Sequence, residues 1–245
     1  MNTSFAVSIP GPDGSVPTVV HLPEHPPGAV VVCCHGLLSY KDSPKFVAIG
    51  DQFSRGGFAV VRFDFTGCGE SRVVPWESLL FGRLRDLRLV LDFVQKQSWA
   101  DGRIGLLGSS LGGYLALLTA AADPKGIKAV VCWSSPFDLS RIKLGLEEVD
   151  ELKSLFPPGF PLGEPENLQD LPPVSGVLII HGQEDETVPW AEAVANYRQV
   201  GEPKRLLLMK TADHRLLAPH WREMAMRASL EWFQTYLAAG TANSG

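Results

Sequence analysis

The chain has 245 residues, 45% of them hydrophobic and 20% charged, the balance of a soluble globule with room for one large α/β domain or two small ones. Its net charge of -5 comes with no basic block, which argues against a nucleic-acid or anionic-membrane surface. No apolar run approaches membrane-spanning length, and Met1-Asn2-Thr3-Ser4 lacks the charged-then-apolar pattern of a signal peptide, so a cytoplasmic location is expected.

In chain order, Phe5 to Ile9 and Val16 to Leu22 flank the turn signature Gly11-Pro12-Asp13-Gly14 and predict an N-terminal β-hairpin. His21, His25 and Pro26-Pro27 read as surface and linker material. Ala29 to Cys34 is an unbroken apolar run, as expected of a strand covered on both faces. Phe46 to Arg55 suits a helix closed by Gly56-Gly57, and Ala59 to Phe63 a further strand. Leu80, Leu84, Leu87, Leu91 and Val94 fall on one face of a helix spanning Leu79 to Gln97. Strands are then predicted at Ile104 to Leu107, Ile127 to Trp133, Val177 to Ile180 and Leu206 to Met209. Leu115 to Ala121 and the stripe from Trp221 to Tyr236 form helices. This alternation predicts an α/β fold with a mostly parallel twisted sheet between helix layers, in a single domain over residues 1–245. Residues 137–176, rich in proline, glycine and acids, are too long for a simple crossover and are expected to form a small lid insertion at the carboxyl ends of the strands.

Cysteines stand at 33, 34, 68 and 132 without zinc-type spacing. Adjacent residues of a strand point to opposite faces, so Cys33 and Cys34 do not bridge each other. They read as small buried hydrophobes in a reducing compartment.

The densest signal is Leu106-Leu107-Gly108-Ser109-Ser110-Leu111-Gly112-Gly113-Tyr114. Here Gly108-x-Ser110-x-Gly112 makes a sharp strand-to-helix turn that lifts a serine into an exposed, strained position. With His35-Gly36 upstream and Asp213-His214 downstream, the chain resembles the α/β-hydrolase fold serine hydrolases over nearly its whole length. Among them it is most similar to small carboxylesterases of the cinnamoyl/feruloyl esterase-like and acylaminoacyl-peptidase-like group.

The resemblance assigns Ser110 as nucleophile, which needs a base to accept its proton. His214 fits, in the loop directly after the last strand. Asp185, in Gly182-Gln183-Glu184-Asp185-Glu186-Thr187-Val188-Pro189, resembles the family's Gly-x-x-Asp-x-x-Val-Pro element and supplies the carboxylate that fixes the imidazole tautomer. The order Ser110, Asp185, His214 is the order of this fold. Asp138 is the alternative acid; Glu184 and Glu186 read as solvated loop charges, and Asp213 adjoins the histidine too closely in sequence to serve it. The oxyanion hole is assigned to the amide of Leu111 and, from the family's His-Gly-x element at His35-Gly36-Leu37, to that of Leu37. His35 is expected to support that loop. Asp64-Phe65-Thr66-Gly67-Cys68-Gly69-Glu70-Ser71 resembles a further, structural family element. Ser109 is expected either to cap the helix or to reach substrate. Trp133, Phe137, Phe156, Phe160 and Trp190 are expected to pack or to wall a pocket.

The resemblance implies a serine carboxylesterase acting on a small-molecule ester through an acyl-enzyme, with no metal and no cofactor. Nucleic acid and membrane are not expected as partners, and homo-oligomerisation is left open. A thioesterase, a peptidase or acylaminoacyl peptidase, a lactonase and an acyltransferase would use the same residues. A non-catalytic binding protein on the same scaffold is the alternative of another class.

Overall fold

A computed structural model describes residues 3–12, 14–71, 78–123, 126–139 and 168–238. Eight strands form one sheet: β1 (Thr3–Gly11), β2 (Gly14–Leu22), β3 (Gly28–Cys34), β4 (Ala59–Phe63), β5 (Ala100–Ser109), β6 (Ile127–Trp133), β7 (Val177–Gly182) and β8 (Lys204–Met209). Their spatial order is β1-β2-β4-β3-β5-β6-β7-β8. The hairpin and its contact with β4 are antiparallel, and every pairing from β4 onward is parallel. Among the described residues, five helices accompany them: α1 (Pro44–Arg55), α2 (Leu79–Gln95), α3 (Leu111–Ala122), α4 (Trp190–Gln199) and α5 (Pro219–Tyr236). This is the α/β fold that the alternating pattern predicts.

Strand alternation splits the core in two. Val30, Val32 and Cys34 of β3 pack with Leu87 of α2, Leu115 of α3 and Ala193 of α4 on one face. Val31 and Cys33 pack with Phe46 and Phe53 of α1 and Trp232 and Phe233 of α5 on the other. Both faces of the central strands are therefore covered, which is why β3 reads as a continuous apolar run and β4 as one broken only by Arg62. Cys33 and Cys34 lie on opposite faces, and all four cysteines are free. Cys33, Cys34 and Cys132 are buried, whereas Cys68 is half-buried in a loop.

Several expectations are corrected. His21 is not surface material. It sits buried in β2, its Nε2 accepts from Arg62 Nε at 3.0 Å, and its ring fills the space beside Gly50 of α1. Strand β5 runs from Ala100 to Ser109, longer than its apolar centre. Helix α4 lies between β7 and β8, where sequence analysis placed none. Its inward positions are small or polar, Ala193, Asn196 and Glu192, and give no apolar stripe. Of the expected lid, residues 140–167, with Phe156 and Phe160, lie outside the described residues. Phe137 and Leu168, on either side of that stretch, are buried in the core, and Leu168–Asp170 forms one turn of 3-10 helix. Among the described residues, no helix is long and apolar enough to cross a membrane, and no cluster of three or more His, Cys, Asp or Glu could hold a metal.

Candidate active site

Parallel strands that all end on one edge deliver their following loops to one place. The loops after β3, β5, β7 and β8 carry Leu37, Ser110, Asp185 and His214 respectively.

Ser110 joins β5 to α3 with φ 55° and ψ -127°, a left-handed conformation that costs a non-glycine residue about 1–3 kcal/mol. The glycines on either side make the turn feasible. A Cβ on Gly108 would lie 2.3 Å from the Gly112 carbonyl oxygen, and one on Gly112 would lie 2.1 Å from that of Cys34. The Ser110 amide donates to the Trp133 carbonyl at 2.8 Å, which ties the turn to β6.

Ser110 Oγ lies 3.1 Å from His214 Nε2, and His214 Nδ1 lies 2.8 Å and 3.0 Å from the two oxygens of Asp185. A carboxylate can only accept, so Nδ1 carries the proton and Nε2 is left to accept the serine hydroxyl. The Asp185 side chain is fully buried. Its oxygens also receive the amides of Val188 at 2.7 Å and Thr187 at 2.9 Å. Burial alone would raise its pKa, but hydrogen bonds from His181 and His214 hold it well below the usual carboxylate range. The acid and base loops meet closely: a Cβ on Gly182 would stand 2.0 Å from the Ala212 carbonyl oxygen.

Sequence analysis gave His181 no role. Its buried Nε2 lies 3.1 Å from Asp185 Oδ2 and 2.9 Å from the Val188 carbonyl. Both neighbours are acceptors, so Nε2 donates, and His181 braces the same carboxylate oxygen that His214 Nδ1 meets at 2.8 Å. The only sequence signal is its i, i+4 spacing from Asp185 at the end of β7.

The carboxylate that meets the His214 ring is that of Asp185. Asp138 follows β6, where its own amide and that of Phe137 donate to Glu192 Oε2. Asp213 accepts the amides of Arg215 and Leu217 within the turn. Glu184 and Glu186 are exposed.

Around Leu37 the structure explains an orientation. His35 Nε2 accepts the Phe65 amide at 3.0 Å, so Nδ1 bears the proton and donates to the Gly36 carbonyl at 2.7 Å. That carbonyl shares its peptide plane with the Leu37 amide, which a trans peptide points the opposite way. Arg83 Nη2 donates to the Leu37 carbonyl at 3.0 Å and fixes the residue from its other side. Neither the Leu37 nor the Leu111 amide donates to an acceptor among the described residues, and Gly36 packs 3.3 Å from Ser110 Cβ, measured from its would-be Cβ. Burial and the nearby Arg83 charge lower the His35 pKa to about 3, so the ring is neutral when the protein works near neutral pH.

The element beginning at Asp64 is structural. Buried Asp64 accepts the amides of Lys41 at 2.7 Å and Glu70 at 2.9 Å, joining the loops after β3 and β4. Ser109 does not cap the helix: its Oγ accepts from Lys45 Nζ at 2.7 Å. Trp133 is a packing residue, its Nε1 donating to Ser229 Oγ at 2.9 Å in the α5 layer. Trp190 is 45% exposed.

A strained serine between strand and helix, with a histidine and a carboxylate in series behind it, on a mostly parallel sheet, defines the α/β-hydrolases. The chain belongs to the family described as serine aminopeptidase, S33, whose profile matches residues 25–173. That match includes the His35 loop and Ser110 but ends before Asp185 and His214.

The chain is 28% identical over 214 residues to the human mitochondrial palmitoyl-protein thioesterase ABHD10, covering 78% of this chain and 67% of that protein. It is also 28% identical over 194 residues to YfhR of Salmonella typhi, covering 72% and 62%. Among solved structures, Est1E of Butyrivibrio proteoclasticus with ferulic acid bound superposes with a TM-score of 0.77 at 22% identity, over 96% of this chain and all of the other. The last likeness concerns the fold.

Proposed function

We propose that this hydrolase is a serine carboxylesterase, with Ser110 as nucleophile, His214 as general base and then acid, and Asp185 as its orienting carboxylate. The observation that carries this reading is the unbroken hydrogen-bonded series from Asp185 through His214 to Ser110, ending on a serine in a strained turn. Ser110 Oγ attacks the ester carbonyl carbon as His214 Nε2 takes its proton. The amides of Leu37 and Leu111 hold the oxyanion. The tetrahedral intermediate collapses to an acyl-Ser110 ester, and the alcohol departs with the proton from His214. Water, deprotonated by the same nitrogen, then releases the acid and restores the serine.

Thioester hydrolysis is the second reading, favoured by the thioesterase among the relatives. An apolar acyl group suits either. Among the described residues, four of the six exposed large hydrophobics, Leu38, Tyr40, Trp190 and Leu217, lie on the loops or loop ends that carry Leu37, Asp185 and His214.

Matched octanoyl oxygen-ester and thioester substrates, assayed with the native enzyme and Ser110→Ala, test the proposal. Turnover of the oxygen ester that is lost in the variant is expected. Turnover of the thioester alone would replace the first reading by the second, and turnover surviving in Ser110→Ala would contradict both.

A further inference from the structure

Three cations are tied to the segments that carry Ser110 and His214 and play no part in the chemistry above. Lys45, in the first turn of α1, donates its ammonium to Ser109 Oγ, the residue immediately before Ser110. Its Nζ lies 5.3 Å from the Phe46 ring centre and 5.8 Å from that of Trp133. Arg215 directly follows His214 and is exposed. Arg222, near the start of α5, is held by donation from Nε to the Leu216 carbonyl at 3.2 Å.

None of the three forms a salt bridge among the described residues. The acids on the same loops are engaged otherwise: Asp213 accepts the amides of Arg215 and Leu217, and Glu186 accepts the amide of His214 at 3.4 Å. Burial, then the charges of Arg222 and Arg215, bring Lys45 down to about 8. It is still mostly protonated at neutral pH.

Like charges held together without counter-ions oppose folding, and the arrangement becomes favourable when an anion enters. The chain as a whole is acidic, with net charge -5, so this cluster runs against its general field. In the proposed reaction the departing group must come within hydrogen-bond reach of His214 Nε2, and Arg215 is the next residue along the chain.

Resting on the ester-hydrolase reading, we propose that the departing half of the natural substrate carries a carboxylate or phosphate, and that Lys45, Arg215 and Arg222 receive it. The cluster is then the specificity determinant of the enzyme, distinct from the residues that move protons.

The test compares 4-butyryloxybenzoate with its methyl ester, and 4-butyryloxyphenyl phosphate with its dimethyl ester. Each kcat/KM is divided by the substrate's own hydroxide-catalysed rate to remove leaving-group chemistry. A preference of about tenfold for at least one anion over its neutral partner is expected at low ionic strength. Screening at 0.5 M salt, a probe condition of about 4 Å Debye length, should reduce it severalfold. The arm that shows the preference identifies carboxylate or phosphate. Arg215→Gln/Arg222→Gln and, separately, Lys45→Gln should bring the ratio toward one, the neutral ester in each variant serving as the internal reference. Equal normalised rates in both native pairs would overturn the inference while leaving the esterase reading intact. Turnover of no ester would overturn it too, and fluorophosphonate labelling then tells the two failures apart: labelled Ser110 preserves the serine-hydrolase reading, unlabelled Ser110 removes both.

Discussion

His35 couples the oxyanion loop to pH. It is 1% exposed, accepts from the Phe65 amide and donates to the Gly36 carbonyl, so its protonation would turn the Phe65 contact into two opposed donors. Its pKa falls from the ordinary 6.5 to about 3. Above pH 6.5 both folded and unfolded chains hold it neutral, and it contributes no pH dependence. Below 6.5 the unfolded chain binds a proton that the folded chain refuses, so stability falls with pH until about 3. Integrated between pH 7 and pH 5, this one group costs about 2 kcal/mol of unfolding free energy. In His35→Gln the amide can reproduce one donor and one acceptor without titrating. Urea unfolding of both proteins at pH 7 and pH 5 isolates the effect, since His21 and the other groups are common to both. The variant is expected to lose about 2 kcal/mol less than the native protein over that interval. Identical pH dependence in the two proteins would refute the neutral, doubly bonded His35 and with it the stated reason for the direction of the Leu37 amide.

Asp185→Asn keeps the shape of the site but loses the acceptor that places the His214 proton on Nδ1. The kcat for an ester should drop by about four orders of magnitude, and the melting temperature should fall because the buried amide cannot accept all the hydrogen bonds that the carboxylate receives; a drop in kcat below tenfold would mean another acid serves His214. Gly112→Ala drives a Cβ to within 2.1 Å of the Cys34 carbonyl oxygen and should cost about 3 kcal/mol or more, read as a shifted urea midpoint. A native-like midpoint would show that the strand-to-helix contact is looser than described.

Much of the framework is legible because burial on both faces leaves a plain mark. Strand β3 appears as an apolar run and β4 and β6 as runs with a single charged residue each, Arg62 and Lys128, and the serine turn needs glycines for steric reasons visible in five residues. Ser110, Asp185 and His214 can be named because each follows a strand of a parallel sheet, and such loops share an edge. Other features depend on tertiary contact and leave no local pattern. Helix α4 hides because Glu192 and Asn196 face inward, where Glu192 serves two amides of the loop after β6. His21 looks like an exposed strand-end polar residue until Arg62 and α1 close over it. His181 gains meaning only when the chain returns at 185, and Lys45 only when a residue 64 positions later comes beneath it.

Intact mass after incubation with a fluorophosphonate, for the native chain and for Ser110→Ala, tests the central claim most directly. One adduct on the native protein and none on the variant is the predicted result. A folded native protein that takes no adduct, or a variant that takes the same one, would contradict the assignment of Ser110 as an activated nucleophile.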